Sequence, residues 1–278
     1  MPAARIAESL AFINWTVLTG LAIGSFTAVA LARLRTAATR GYLAFTGIVG
    51  VLLGLLALAS DYGLPGPAAG SPITIDAGWD PVRRAALVAF LVLAIAYDVE
   101  ILRGRRAPWL ASAGVAAGAA VLLLAAVSWG GGPLGALLLA IELLSLSAAL
   151  GGVFAAMVLG HWYLVTPKLP EAPLVSVARA VAIVVAVQIA LFILWLAVGA
   201  GPAGTPAFAA LGGSWALFVW LRLIVGLVFP LVLSWAAIQT ARTRSMESAT
   251  GLLYIDVAAI AASTVVAAGL YFGAGLLV

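Results

Sequence analysis

The sequence predicts an all-α, polytopic membrane protein with eight transmembrane helices, arranged as two four-helix bundles with both termini outside. Three observations predict this fold: 65% of the 278 residues are hydrophobic, only 9% are charged, and long apolar stretches recur along the whole chain. Soluble domains carry about 25% charged residues, so the composition excludes a soluble globular protein. The charged residues are also too few for a phosphate-binding stripe, so we expect a lipid bilayer and no nucleic acid as a partner.

Eight stretches have the roughly 20 apolar residues that a membrane-crossing helix needs. They are about 9–32, 41–60, 84–102, 109–128, 134–163, 175–199, 214–240 and 249–276. No small-residue cleavage site follows the first stretch, so we interpret it as a retained span and not as a signal peptide. Residues 1–130 therefore form the first predicted four-helix bundle, and residues 131–278 form the second.

Basic residues are concentrated in alternate loops. Ten of the 14 lie in the odd-numbered connections: Arg33, Arg35, Arg40, Arg103, Arg105, Arg106, Lys168, Arg179, Arg242 and Arg244. The opposite side carries only Arg5, Arg83 and Arg84. By the positive-inside rule the odd-numbered connections are cytoplasmic, which predicts a multi-pass protein of the inner (cytoplasmic) membrane with both termini outside.

Two further patterns predict how the helices pack and where they meet the membrane surface. Glycines recur four residues apart, a spacing that lets helix backbones approach closely in lipid. These pairs are Gly20 and Gly24, Gly50 and Gly54, Gly114 and Gly118, and Gly269 and Gly273. Tryptophans near span ends predict an interfacial aromatic belt, formed by Trp15, Trp79, Trp109, Trp129, Trp162, Trp215 and Trp235.

Ionisable side chains inside the spans are the strongest functional candidates, because burying a charge is costly unless it is paired or faces water. Glu142 and Arg222 each lie about eight residues into a span from the outer side, so we predict an ion pair. The pair either staples the two halves together or forms a polar site where Glu142 exchanges protons beside Arg222. Pro230 has no N–H, so it frees the carbonyl of Gly226 and predicts a kink.

Other polar residues lie closer to the cytoplasmic side. Asp256 in the eighth span is either a structural, hydrogen-bonded carboxyl group or a proton relay, and Gln188 is either its neighbour or a contact between helices. Asp98 is a candidate proton exit, whereas Glu100 is expected to pair with nearby arginines at the interface. His161, the only histidine, either makes structural hydrogen bonds or contacts a quinone carbonyl.

The inventory of metal-binding residues is very small. The chain contains no cysteine and one histidine, which excludes thiolate metal sites, bis-histidine haem and multi-histidine zinc sites within it. We therefore predict no metal site and no covalently bound cofactor. A quinone is the remaining candidate ligand.

Three segments resemble the polysulfide-reductase membrane-subunit family of the NrfD type. They are the glycine-rich stretch 20–25, the Asp-Tyr-Gly-Leu-Pro corner at 61–65, and Val-Gly-Leu-Val-Phe-Pro-Leu at 225–231. The resemblance implies a cofactor-free subunit that exchanges electrons and protons with quinol beside an Fe–S or other electron-transfer subunit. In that family the quinol pocket lies near the outer face and uses polar groups of the first helices, which here implies Asn14.

The leading hypothesis is a membrane subunit of a respiratory or electron-transfer complex that binds quinone or quinol or provides a proton path. Glu142, Arg222 and Asp256 are its catalytic candidates, and Asn14 and His161 are its candidate quinone contacts. Two alternatives stay open. One is a stand-alone proton-coupled transporter of a small solute, and the other is a non-catalytic membrane scaffold or assembly subunit.

Overall fold

The computed structural model describes residues 1–66, 70–166, 169–202 and 204–278. Lys168, which contributes to the charge bias, lies outside these ranges. Eight of the helices are long and apolar enough to cross a membrane. They are α1 (Leu10–Arg35), α2 (Arg40–Tyr62), α3 (Asp80–Leu102), α4 (Pro108–Trp129), α5 (Pro133–Val165), α6 (Ala172–Val198), α7 (Ala216–Arg242) and α8 (Met246–Ala274). A short helix, Pro2–Glu8, precedes α1. The prediction of an all-α fold with eight long apolar helices is confirmed.

Local sequence explains where several of these helices begin and end. Prolines occupy the first turn of α3, α4, α5 and α6, where their missing N–H would have no helical partner. Gly199 and Gly275 follow α6 and α8 in the left-handed region, with φ of 63° and 70°, as helix-ending glycines often do. Helix α3 begins at Asp80 and not at residue 84, so its first turn includes Arg83 and Arg84.

The helices pack as two rings that meet at α1 and α5. In the first half α1 packs against α2 and α4, and α3 lies between those two helices. In the second half α5 packs against α6 and α8, and α7 lies between them. An extensive interface, however, also joins α1 to α5 across the halves. The division at residue 130 into two domains therefore stays a prediction.

Helices α1 and α5 touch through their backbones. A Cβ atom on Gly24 would lie 1.9 Å from the carbonyl oxygen of Ser147, and one on Gly151 would lie 2.2 Å from the carbonyl carbon of Gly24. Neither distance is possible for a real Cβ atom, so glycine is required on both sides of the contact. Small residues allow this approach in lipid, where no hydrophobic force drives helices together.

Helix α7 changes its winding part-way along its length. One π-helical turn, Ile224–Val228, ends two residues before Pro230. The carbonyl oxygen of Gly226, which Pro230 leaves without its usual helical donor, accepts a hydrogen bond from Ser263 Oγ of α8 at 2.6 Å. Such turns are frequent at functional sites.

Candidate functional site

Glu142 and Arg222 meet between α5 and α7. Both are buried, with 4% and 1% of their surfaces exposed, and Glu142 Oε1 lies 3.6 Å from Arg222 Nη2. The structure therefore brings together the two side chains that the sequence placed equally far into their spans. The contact is long for a charge-assisted hydrogen bond, and Glu142 Oε1 accepts none from the described residues.

Arg222 is held by two further partners. Its Nη1 donates to Ser263 Oγ of α8, and its Nε donates to the carbonyl oxygen of Val278 at 3.3 Å. Because the Ser263 hydroxyl proton is already donated to Gly226, the serine oxygen is free to accept from the guanidinium. The arginine, the serine and the carbonyl freed by Pro230 thus form one hydrogen-bonded chain.

Replacement of Ser263 by alanine is expected to lower the free energy of unfolding by about 1–3 kcal/mol, because two buried polar groups lose a partner. Thermal unfolding in detergent measures the change. Thr264→Ala is the matched control, since Thr264 Oγ1 donates only to Ile260 of its own helix. Equal effects of the two variants would contradict a special role for Ser263.

Asp256 lies on α8, seven residues before Ser263. Its side chain is fully buried, and its Oδ2 accepts from Ser234 Oγ of α7 at 2.6 Å. The second oxygen, Oδ1, has no partner among the residues that the structure describes. Gln188 donates instead to Ser145 Oγ of α5 at 3.4 Å, so its hydrogen bond is a contact between α6 and α5.

Asp256 and Ser263 belong to one polar line along the α7–α8 interface. They are seven residues apart on α8, which is two helical turns and about 10 Å of rise. Both contact α7, through Ser234 and through Gly226 and Arg222 respectively. The line continues to Glu142 on α5, so three helices of the second half contribute to it.

Asp98 is a third buried carboxyl group, on α3. It packs against the α2 backbone so closely that a Cβ atom on Gly47 would lie 2.0 Å from Asp98 Oδ1. Within the described ranges this oxygen accepts no hydrogen bond. Glu100 instead pairs with Arg103 and Arg105 at 2.9 and 3.5 Å, as its position near the helix end predicted.

The two candidate quinone contacts lie apart from this line. Asn14 Nδ2 donates to Ser60 Oγ of α2 at 3.2 Å, and the asparagine is exposed on the helix surface. His161 is also exposed, and its Nδ1 lies 3.3 Å from the Tyr254 hydroxyl of α8. Neither hydrogen bond involves Glu142, Arg222 or Asp256.

A second buried charge cluster was not predicted from the sequence. The fully buried carboxylate of Asp61 accepts from Arg83 Nε and Arg84 Nε, each at 2.8 Å, and from Trp15 Nε1 at 2.8 Å. Arg83 also pairs with Asp80 at 2.8 Å and donates to Ser128 Oγ of α4 at 3.3 Å. The signal for this cluster was two adjacent arginines on the predicted outer side, which otherwise carries only Arg5.

The aromatic-belt prediction is wrong for two tryptophans of this cluster. Trp15 and Trp129 are 0% and 1% exposed, and the Arg83 guanidinium lies 5.7 and 4.9 Å from their ring centroids. They are buried because cation–π contacts and the Trp15 hydrogen bond hold the rings against the arginine. Trp109 and Trp235, by contrast, are exposed.

The buried arginines of the two halves differ in how closely a carboxylate pairs with them. Arg83 and Arg222 each lie on the third helix of a half, and each donates to a serine of the fourth helix. Arg83 has a carboxylate oxygen at 2.8 Å, whereas the Glu142 oxygen beside Arg222 lies at 3.6 Å and has no donor in the part of the chain that the structure describes. The Glu142–Arg222 pair is therefore the incompletely satisfied one.

Eight apolar helices with charges buried between them define a polytopic α-helical membrane protein. Comparisons of the chain with protein-family models, curated proteins and solved structures find no match.

Proposed function

We propose that this protein is the membrane subunit of an electron-transfer complex, in which the polar line of α5, α7 and α8 carries protons linked to quinone chemistry. One observation supports the proposal most directly. Glu142 and Asp256 are buried in the same set of helices, and each keeps one carboxyl oxygen without a hydrogen-bond donor among the described residues.

Burying a carboxylate costs free energy, and this cost supports the proposal. A buried carboxylate without donors is expensive, and ionisable groups inside membrane spans are usually conserved for proton or ion movement. Asp61 is the internal comparison, because donors from Trp15, Arg83 and Arg84 reach both of its oxygens. The donors to Asp61 leave neither of its oxygens free, whereas Glu142 and Asp256 each keep an oxygen that could accept a proton.

The expected redox partners follow from the scarcity of metal-binding residues in the chain. It contains no cysteine and one histidine, so Fe–S or other redox centres would have to come from other subunits. The resemblance to the polysulfide-reductase membrane subunits supports the same proposal and puts the quinol near Asn14 at the outer face. The arginine bias supports an inner-membrane location with both termini outside.

Purification in a gentle detergent from native membranes, with mass spectrometry of the co-purifying proteins, tests the assembly. Fe–S or molybdenum subunits are the expected companions. A chain that purifies alone, without any redox protein, would overturn the electron-transfer proposal.

Glu142→Gln is expected to lower quinol-linked turnover of the purified complex by about 10²-fold or more, because the amide cannot exchange a proton. Glu100→Gln is the matched control, since Glu100 pairs with Arg103 at the helix end. Both variants should fold, which equal yields and unfolding midpoints would show. Normal turnover in Glu142→Gln would contradict the assignment of the site.

One observation favours a second function, that of a proton-coupled transporter. The π turn and Pro230 interrupt α7 beside Arg222, and broken helices line many transporter sites. In that case proteoliposomes containing the protein alone would accumulate a small solute against a gradient, and Asp256→Asn would abolish the uptake. Absence of flux under any imposed gradient would exclude it.

A further inference from the structure

A groove runs between α1, α4, α5 and α6, on the side of the membrane where the loop arginines are concentrated. Its volume is about 450 Å³, within the range of pockets that hold small ligands. Glu142, Arg222 and Asp256 are not among its lining residues. The groove is therefore separate from the polar line described above.

The groove has the depth of one lipid leaflet. Along α1 its lining extends from Arg35, near the helix end, to Gly24 beside the crossing with α5. Eleven residues of helix rise by about 16 Å, which is half of the roughly 30 Å hydrocarbon core. A hydrocarbon chain whose headgroup lies at the membrane surface would fill this length.

The walls of the groove favour hydrocarbon over a polar ligand. The hydroxyls inside it are already used, since Thr27 donates to the carbonyl of Ile23 at 2.8 Å and Ser147 donates to that of Gly20 at 3.1 Å. The lining contains no acidic residue and no histidine. Below the rim, a quinone would find neither a spare donor nor a proton-exchanging group among these residues.

The rim of the groove is cationic. Arg35 is exposed and is the only charged residue among the lining residues, and the exposed Ser176 of α6 also belongs to the lining. An arginine at the membrane surface attracts anionic lipid headgroups and binds phosphate through several N–H groups. We propose that the groove binds one acyl chain of an anionic phospholipid from this leaflet, with its phosphate at Arg35.

Native mass spectrometry of the purified protein tests the headgroup. We expect phosphatidylglycerol to bind about fivefold more tightly than phosphatidylcholine with the same chains, the ratio expected from one surface arginine. Arg35→Gln should make the affinities for the two lipids equal. Arg242→Gln, which changes another exposed arginine outside the groove, should keep the preference.

A second variant tests the chain-binding groove itself. Ala148 is exposed and lines the groove, so the phenyl ring of Ala148→Phe should fill the groove without a buried clash. The affinities for both lipids should fall about tenfold or more. Ala116→Phe, at an exposed position of α4 outside the lining, should leave both affinities unchanged. Equal binding of the two lipids by the unaltered protein, or an unchanged preference in Arg35→Gln, would overturn the proposal. A quinone found in the groove in place of lipid, and displaced by Ala148→Phe, would also overturn the proposal.

Discussion

Asp61→Asn is expected to lower the free energy of unfolding by about 3–5 kcal/mol, the usual cost of removing one partner from a buried ion pair. The carboxylate at the end of α2 holds Trp15 of α1 and Arg83 and Arg84 of α3. Arg83 also binds Ser128 of α4, so the cluster joins all four helices of the first half. Without the carboxylate, a fully buried guanidinium keeps only Asp80 as a counter-charge.

The midpoint of thermal unfolding in detergent and the yield of folded protein measure this loss. Asp76→Asn is the control, because Asp76 is exposed and its side chain accepts only from the backbone of Gly78. Combining Asp61→Asn with Arg83→Gln removes both charges of the pair and should recover part of the stability. An unchanged midpoint in Asp61→Asn would show that the cluster does not hold these helices together.

Gly151→Ala is expected to be nearly as damaging, because the added methyl group would overlap the backbone of α1. Its Cβ would lie 2.2 Å from the carbonyl carbon of Gly24, and a backbone cannot move aside as a flexible side chain can. The helices must separate, which removes close packing along the extensive interface between the two halves. Overpacking of this kind costs about 1–3 kcal/mol or more.

The neighbouring glycine supplies the control for this prediction. A Cβ on Gly152 would lie 3.5 Å from a Val181 methyl group, an ordinary van der Waals distance. Gly152→Ala should therefore unfold near the temperature of the unaltered protein, whereas Gly151→Ala should unfold well below it. Equal midpoints for the two variants would contradict the backbone contact between α1 and α5.

Much of the architecture and part of the candidate site were predictable from the sequence. Hydropathy predicts the eight spans because each one must individually present enough apolar surface to the bilayer. The same constraint predicted that Glu142 and Arg222 meet, since two opposite charges at one depth both need a partner. Pro230 predicted a free carbonyl at Gly226 from covalent chemistry alone.

The sequence did not predict which residue would bind that carbonyl, nor the roles of Asp61, Trp15 and Trp129. Those contacts depend on which helices are neighbours and how each is rotated about its axis. Hydropathy constrains neither property here, because nearly every face of these helices is apolar. The sequence by itself therefore determined the number of spans and the matching positions of Glu142 and Arg222 within theirs. The tertiary structure alone decided that Asp61 is fully paired while Glu142 and Asp256 each keep an oxygen without a donor among the described residues, since donors from two other helices, α1 and α3, converge on Asp61.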